Sequence, residues 1–225
     1  MSKIDDLIAE LCPEGVEFRE LGEVFTIRNG YTPSKKIAKY WEDGTLPWFR
    51  MEDIRKNGRI LSDSIQKITP QAVKSGGLFP AGSIIMATTA TIGEHALLTA
   101  DSLANQQFTF LTRKSELLDI LDEKFVFYYC FELADWCKKN TNVSGFASVD
   151  MNGFKKFQFP LPPLAVQREI VDILDKFTQL EAELEAELEA ELEARKKQYE
   201  HYRNQLLTFD DNAGGGTMGN PRGGR

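Results

Sequence analysis

The most constraining feature of this sequence is a long helical pattern near its C-terminal end. No glycine or proline occurs from residue 165 to residue 209. Apolar residues recur there every three or four positions, which places them on one face of an α-helix. One helix of about 40 residues within residues 164–209 would be about 60 Å long, a length typical of helices that pack lengthwise on another helix. The apolar stripe comprises Ile170, Ile173, Leu174, Phe177, Leu180, Leu184, Leu188, Leu192, Tyr199, Tyr202 and Leu206.

An internal repeat lies within this helix, over residues 180–195. Leu-Glu-Ala-Glu occurs three times and is followed by Leu-Glu-Ala-Arg. Each repeat advances the helix by about 6 Å and rotates it by about 40° beyond one full turn. Its glutamates stand four residues apart, a like-charge spacing that disfavours an isolated helix by a few tenths of a kcal/mol per pair. We therefore expect a coiled-coil partner, while a solvated single helix remains the alternative.

The preceding part, residues 1–163, has the pattern of a globular domain. Short runs rich in β-branched and aromatic residues, separated by glycine and proline, predict strands between residues 16 and 113. Apolar residues at helical spacing predict a helix over residues 116–139. The expected fold class is α+β, with a mixed or antiparallel sheet, helices and the long C-terminal helix. The glycine-rich residues 210–225 are expected to be a disordered tail.

The net charge of −7 hides an uneven distribution of charge along the chain. Residues 28–74 contain ten basic and five acidic side chains, whereas residues 166–225 contain eight basic and thirteen acidic ones. A locally positive segment with interleaved aromatic residues is compatible with binding to a polyanion such as DNA. The same aromatic residues are equally compatible with a core.

Candidate DNA-binding residues fall into two clusters and one connecting pair. The lysines would attract phosphates, whereas arginine, asparagine and hydroxyl side chains can recognise base edges. The first cluster comprises Tyr31, Ser34, Lys35, Lys36, Lys39, Arg50, Arg55, Lys56, Arg59, Lys67 and Lys74. The pair is Thr88 and Thr89, and the second cluster comprises Lys138, Lys139, Asn142 and Ser144. We expect both clusters to line one surface.

The residues that carry catalysis in known enzymes do not form a recognisable site in this sequence. His95 and His201 are far apart, and metalloprotease, phosphate-binding and serine-hydrolase motifs are missing. Asp119, Asp122 and Lys124 loosely resemble a nuclease site, but a solvated helix face explains them better. We expect no catalytic residue, metal site or cofactor in this chain. The N-terminal sequence resembles no signal peptide, and no segment is apolar enough to span a membrane, so a cytoplasmic location is expected.

Three segments together resemble the specificity subunits of type I restriction-modification systems. They are GYTPSKKIAKYWEDGTLPWFRMEDI, ATTATIGEHALLTADSLANQQFTFL and FKKFQFPLPPLAVQREIVDILDKF. The resemblance implies a target-recognition domain for double-stranded DNA, followed by a conserved spacer helix. It also implies a methyltransferase subunit, which binds S-adenosylmethionine and docks on the spacer helices, and a motor and nuclease subunit that completes the complex.

Members of that family usually carry two recognition domains and two spacer helices that pack antiparallel, whereas this sequence carries one of each. One copy therefore cannot recognise both halves of a split target. We expect a homodimer formed by antiparallel pairing of the long helix, and a fragment that needs a complementary half is the alternative. A coiled-coil adaptor with a protein-binding head is the alternative function.

Overall fold

A computed structural model describes residues 3–142 and 147–208 of the chain. Contacts between residues divide the chain into a globular unit, Met1–Leu174, and a helical unit, Asp175–Arg225. The helices are α1 (Lys3–Leu11), α2 (Leu21–Val24), α3 (Met51–Asn57), α4 (Glu123–Lys139), α5 (Met151–Lys156) and α6 (Leu164–Leu207). The strands are β1 (Phe18–Glu20), β2 (Phe25–Asn29), β3 (Leu46–Phe49), β4 (Ile60–Leu61), β5 (Lys67–Ile68), β6 (Ile84–Ala87), β7 (His95–Leu98), β8 (Leu103–Ala104), β9 (Phe108–Arg113), β10 (Thr141–Asn142), β11 (Ser148–Val149) and β12 (Gln158–Pro160).

A five-stranded mixed sheet forms the centre of the globular unit. Its strand order is β2-β9-β6-β7-β4, and its pairs are antiparallel except for the parallel pair β4–β7. Because side chains alternate between the two faces of a strand, Ile84 and Met86 join one hydrophobic cluster while Ile85 and Ala87 join another. Both faces are covered, so β6 and β7 are buried along their whole length.

Each hydrophobic cluster joins the central sheet to a different set of elements. On one face, Phe125 and Leu133 of α4 pack with Phe154 of α5. On the other face, Trp48 and Phe49 pack in the cluster that includes a second sheet, of order β5-β3-β8. The sheets and helices confirm the α+β class that the sequence predicted.

Helix α4 begins seven residues later than the sequence pattern predicted. The side chain of Asp122 accepts hydrogen bonds from the backbone N–H groups of Lys124 and Phe125, at 2.8 and 3.1 Å. Asp122 is therefore the N-cap of α4, and such caps end the extended chain that precedes a helix. The residues Ser115–Leu117 form a separate 3₁₀ turn instead. The predicted start at residue 116 was wrong because periodicity alone does not detect this cap.

The chain enters α6 directly after a pair of prolines. Strand β12 pairs antiparallel with β1, with Phe159 opposite Arg19. Gln167, which is fully buried in the first turns of α6, donates to the carbonyl oxygens of Pro162 and Ile120 at 2.6 and 2.8 Å. The side-chain oxygen Oε1 of Gln167 accepts from the backbone N–H of Asp122 at 2.8 Å. These three bonds fix the start of α6 on the globular unit.

The helical unit has no buried side chain among the residues that the structure describes. Helix α6 continues to Leu207, and residues 176–208 are all exposed. Arg195 pairs with Glu191 and Lys196 with Glu193 along the same helix, at 3.3 and 2.7 Å. Exposed pairs of this kind contribute little stability. Residue 209 and the predicted tail, residues 210–225, lie outside the described residues.

Within the described ranges, no helix is sufficiently long and apolar to cross a membrane.

Candidate nucleic-acid interface

The first predicted cluster begins on the loop between β2 and β3. Ser34, Lys35, Lys36 and Lys39 are all exposed on this loop. The indole N–H of Trp41 donates to the carbonyl oxygen of Ser34 at 3.1 Å. Trp41 also packs edge-on against the ring of Trp48, whose centroid is 5.0 Å away, and Trp48 is buried. These aromatic residues therefore hold the basic loop to the core and leave its lysines in solvent.

Tyr31 and Lys74 form a second fixed part of this cluster. The Tyr31 hydroxyl accepts from the backbone N–H of Lys74 at 2.8 Å and donates to the carbonyl oxygen of Ala72 at 3.2 Å. The Lys74 ammonium lies 4.4 Å from the centroid of the tyrosine ring, within cation–π range. Gly30 precedes Tyr31, and a Cβ there would lie 2.4 Å from the carbonyl oxygen of Ala104. Only glycine allows this close approach to β8.

A cleft of about 700 Å³ joins parts of both predicted clusters. Arg55 and Arg59 reach it from the end of α3 and the residues after it, and Lys138 reaches it from the last turn of α4. Arg55 is exposed, and its guanidinium has no ion pair or hydrogen bond within residues 3–142 and 147–208. The cleft is lined by Met51, Ile54, Arg55, Gly58, Arg59, Ala90, Thr91, Ile92, Glu94, Lys138 and Thr141.

The loop from residue 88 to residue 94, between β6 and β7, forms one wall of this cleft. Ala90 has a φ of 60°, which is unfavourable for a residue with a Cβ. Gly93 has a φ of 92°, and a Cβ there would lie 2.9 Å from Cε of Lys138 and 3.1 Å from the carbonyl oxygen of Ala134. The loop is therefore held against the last turns of α4 in a strained conformation, a feature that is frequent at functional sites.

The predicted threonine pair supports this loop. Thr88 is buried, and its hydroxyl lies 2.9 Å from that of Thr109, which in turn donates to the side chain of Asn29 at 2.9 Å. Thr89 is partly exposed and forms an isolated bridge with Ser148. Thr88 therefore faces the interior and fixes the base of the loop, whereas Thr89 lies at the surface.

His95 contributes to the same support from inside the sheet. Its Nδ1 lies 3.2 Å from the carbonyl oxygen of Gly93. Burial lowers the pKa of His95 to about 4, so that the ring is neutral at pH 7. The backbone carbonyl of His95 accepts from Arg59 at 3.1 Å, and Arg59 also pairs with Glu94 at 2.7 Å. Arg59 is thus largely engaged in holding the cleft wall.

The remaining predicted cations are exposed or partly exposed, and most of them are paired. Lys67 lies 2.9 Å from Asp63, and its hydrogen bond is the main cause of the lowered pKa of that carboxylate. Glu52 similarly has a lowered pKa, chiefly because it accepts a hydrogen bond from Lys56. The distances from Glu52 are 2.9 Å to Lys56 and 3.2 Å to Arg50. In the second cluster Lys138 pairs with Asp135 at 3.0 Å, Lys139 and Asn142 are exposed, and Ser144 lies outside the described residues.

Sequence reasoning missed Thr91 and Thr141, which line the cleft beside the predicted residues. The hydroxyl oxygen of Thr91 is buried and has no hydrogen-bond partner among the residues that the structure describes. Threonine is common in strands, so nothing in the sequence singles out Thr91. Its place on the strained loop of residues 88–94 does. Among the described residues, no group of three or more histidine, cysteine, aspartate or glutamate side chains is arranged to hold a metal ion.

Comparison with known proteins gives several consistent matches. The chain is 61% identical, over 203 residues, to the type I restriction enzyme EcoprrI specificity subunit of Escherichia coli, a match that covers 87% of this chain and 51% of that protein. The chain spans about half the length of the curated relatives it matches.

Two solved structures share the fold. One comes from work on complex assembly and conformational transition of the type I R-M system, with a TM-score of 0.64 and 24% identity, covering 88% of this chain and 48% of that one. The other is the crystal structure of the HsdS subunit from Thermoanaerobacter tengcongensis, with a TM-score of 0.57 and 22% identity, covering 80% of this chain and 43% of that one. At these identities the likeness concerns the fold alone.

A family model matches most of the chain and confirms the resemblance seen in the sequence. Its description is type I restriction modification DNA specificity domain, and it matches residues 13–194. The model describes DNA specificity and not methyl transfer or cleavage, in agreement with the non-catalytic role expected from the sequence. The matched residues include the whole cleft and the first part of α6. The chain therefore belongs to the family of type I restriction modification DNA specificity domains.

Proposed function

We propose that this chain recognises one half of a split double-stranded DNA target for a type I restriction-modification complex. The observation that carries the proposal is the family match over residues 13–194. The cleft adds a physical reason, because it joins cations from two distant parts of the sequence beside a strained loop. The match favours DNA recognition over the alternative of a coiled-coil adaptor.

The proposed DNA-contacting surface has two parts. Lys35, Lys36, Lys39 and Lys74 would contact phosphates, since they are exposed and carry their charge on long side chains. Tyr31 would position Lys74 through the cation–π contact. Arg55 would contact base edges from the cleft, because its guanidinium has no competing partner among the described residues. Arg50, Lys56, Lys67, Lys139 and Asn142 would add longer-range attraction and peripheral contacts.

The chemistry in this proposal belongs to other subunits. A methyltransferase subunit would supply S-adenosylmethionine and the methyl-transfer site and would dock on α6, and a motor and nuclease subunit would complete the complex. This chain would bind no cofactor and would act in the cytoplasm.

The proposal also requires a second recognition domain. We propose that two copies pair through antiparallel α6 helices, because the apolar stripe is exposed along the helical unit. Such a dimer has twofold symmetry, and a symmetric dimer binds a symmetric split target.

The direct test of DNA recognition is binding to duplex DNA in the presence of the methyltransferase subunit. The proposal predicts sequence-specific binding whose affinity falls steeply between about 50 and 200 mM salt, because phosphate contacts release counterions. A complex that assembles but binds all duplexes equally, or none, would contradict it.

The repeat allows a separate test of the spacer helix. Inserting one Leu-Glu-Ala-Glu unit within residues 180–195 adds about 6 Å and about 40° of rotation to each helix. The preferred gap between the two half-sites should therefore change, and methylome sequencing of cells that carry the complex measures that gap. An unchanged gap would argue against a spacer role for the repeat.

A further inference from the structure

Three consecutive side-chain amides, those of Asn105, Gln106 and Gln107, form the turn between β8 and β9. Strand β9 lies between β2 and β6 in the central sheet and runs antiparallel to both. The start of β9 therefore lies beside the ends of β2 and β6, where the basic loop and the loop of residues 88–94 begin. The turn thus lies between the two parts of the proposed DNA-contacting surface.

Backbone hydrogen bonds attach this turn to both loops. The backbone N–H of Tyr31 donates to the carbonyl oxygen of Ala104 at 2.8 Å. On the other side, the backbone N–H of Thr88 donates to the carbonyl oxygen of Gln107 at 3.0 Å. The backbone therefore sets the position of the turn relative to the basic loop and to the cleft.

One of the three amides, that of Gln106, is not used to hold the turn together. The Nδ2 of Asn105 donates to Oε1 of Gln107 at 3.2 Å, and its Oδ1 accepts from the backbone N–H of Gln107 at 3.0 Å. Gln106 is exposed, and its Oε1 accepts from the hydroxyl of Thr32 at 2.5 Å. Its Nε2 and its backbone N–H have no hydrogen-bond partner among the described residues. Gln106 is therefore a donor whose orientation is fixed by Thr32.

Asn29, at the end of β2, repeats this arrangement. Its Oδ1 accepts from the buried hydroxyl of Thr109 at 2.9 Å, and that hydroxyl lies 2.9 Å from the hydroxyl of Thr88. Asn29 is exposed, and its Nδ2 has no hydrogen-bond partner within residues 3–142 and 147–208. In both amides a threonine hydroxyl thus binds the carbonyl oxygen and leaves the NH₂ group available.

We propose that Gln106 and Asn29 donate their side-chain NH₂ groups to phosphate oxygens of the DNA backbone, between the basic loop and the cleft. Phosphate oxygens are acceptors and suit a fixed donor. Recognition of adenine instead uses the oxygen and the NH₂ group of one amide together, and threonine hydroxyls already bind both of these oxygens. This inference rests on the proposed function and adds to it two neutral contacts that position the duplex without reading its sequence.

Binding of the assembled complex to duplexes with and without the target sequence, which methylome sequencing identifies, tests these contacts. Gln106→Ala and Asn29→Ala should each weaken binding to both duplexes by the same factor of about ten, because a hydrogen bond to a charged group is lost. The matched control is Gln158→Ala, which removes an exposed amide on β12 and should leave binding unchanged. A loss confined to the target duplex would indicate base recognition and overturn the proposal, and so would unchanged binding.

Neutral methylphosphonates, placed one at a time along the target duplex, locate the contacted phosphates. At the phosphate that Gln106 binds, the replacement should weaken binding of the unaltered complex. The same replacement should have little further effect on the Gln106→Ala complex, because both changes remove one contact. Losses that add at every phosphate would contradict a contact between Gln106 and the backbone.

Thr32 acts as a positioning residue for Gln106, which two variants test. Thr32→Val removes the hydroxyl but keeps the shape, and should weaken DNA binding about threefold. Thr32→Ser keeps the hydroxyl and should bind as the unaltered chain does. Adding Thr32→Val to Gln106→Ala should cause no further loss. Equal losses for valine and serine would show that Thr32 does not act through its hydroxyl.

The same measurements separate this inference from the proposed function. A complex that prefers its target, and whose alanine variants bind normally, refutes the phosphate contacts and leaves DNA recognition intact. A complex that binds all duplexes equally refutes sequence recognition, and the losses in the alanine variants then decide the phosphate contacts. A complex that binds no duplex refutes both.

Discussion

The globular unit and the helical unit differ in where they place their apolar residues. In the globular unit the strands β6 and β7 are buried on both faces, so that the core is complete without a partner. In the helical unit Leu188 is 58% exposed, and its neighbours along the stripe, Leu184 and Leu192, are 56% and 54% exposed. The comparison teaches that one unit is stabilised by its own core, whereas the other leaves the apolar side chains of its helix exposed.

The largest expected effect is the difference in stability loss between an alanine substitution in the globular unit and one in the helical unit. Phe110→Ala removes a fully buried ring from the central sheet and should lower the free energy of unfolding by about 3–5 kcal/mol. Leu188→Ala should change the monomer's free energy of unfolding by less than about 0.5 kcal/mol. The Leu188 side chain is exposed, and alanine is a good helix former. Chemical denaturation of both variants at monomeric concentration measures this, and similar losses would contradict the comparison.

The next effect is confined to the globular unit and depends on pH. His95 has a pKa lowered to about 4 by burial, against about 6.5 when unfolded, so the unfolded chain binds more protons between these values. The stabilising effect of the neutral ring is complete above pH 6.5. This contribution to the free energy of unfolding is about 3 kcal/mol, and it is lost as the pH falls toward 4.

The measurement is the unfolding free energy of the unaltered protein and of His95→Leu between pH 7 and pH 4.5. The unaltered protein should lose more stability than the variant over that range, because leucine does not titrate. Identical pH dependence in the two proteins would show that His95 is not buried in its neutral form.

A smaller effect distinguishes DNA contact from helix pairing. Arg55→Ala should weaken specific DNA binding of the complex about tenfold, as the loss of one arginine contact to a base does. The same variant should leave the dimer dissociation constant unchanged, because Arg55 lies in the cleft of the globular unit. The matched control is Lys114→Ala, which removes a cation that does not line the cleft. Equal losses for both variants would indicate general electrostatics instead of a contact in the cleft.

The sequence predicted the elements whose patterns are local. The long helix starts at Leu164, as expected from the proline pair before it and the uninterrupted apolar periodicity after it. The buried strands were also predictable, because β-branched and apolar runs bounded by glycine and proline are typical of strands. The start of α4 was not, since it depends on how the side chain of Asp122 caps the backbone.

The candidate site was predictable only in part. Composition placed Arg55 and Lys138 in two separate basic clusters, and folding brings both to one cleft. The unfavourable φ of Ala90 arises from tertiary packing, and so does the burial of the Thr91 hydroxyl, which has no hydrogen-bond partner in the described part of the chain. No sequence pattern contains these features. Conversely, Thr88 looked suitable for DNA contact, but it is buried in a chain of side-chain hydrogen bonds.

The central claim is that one globular unit recognises half a target and that the helical unit supplies the second half by pairing two copies. Methylome sequencing of cells that contain this chain and its methyltransferase subunit tests it most directly. The account predicts methylation at a split motif whose two halves are identical and inverted, separated by a fixed gap. A motif with two different halves, an unsplit motif or no methylated motif would contradict it.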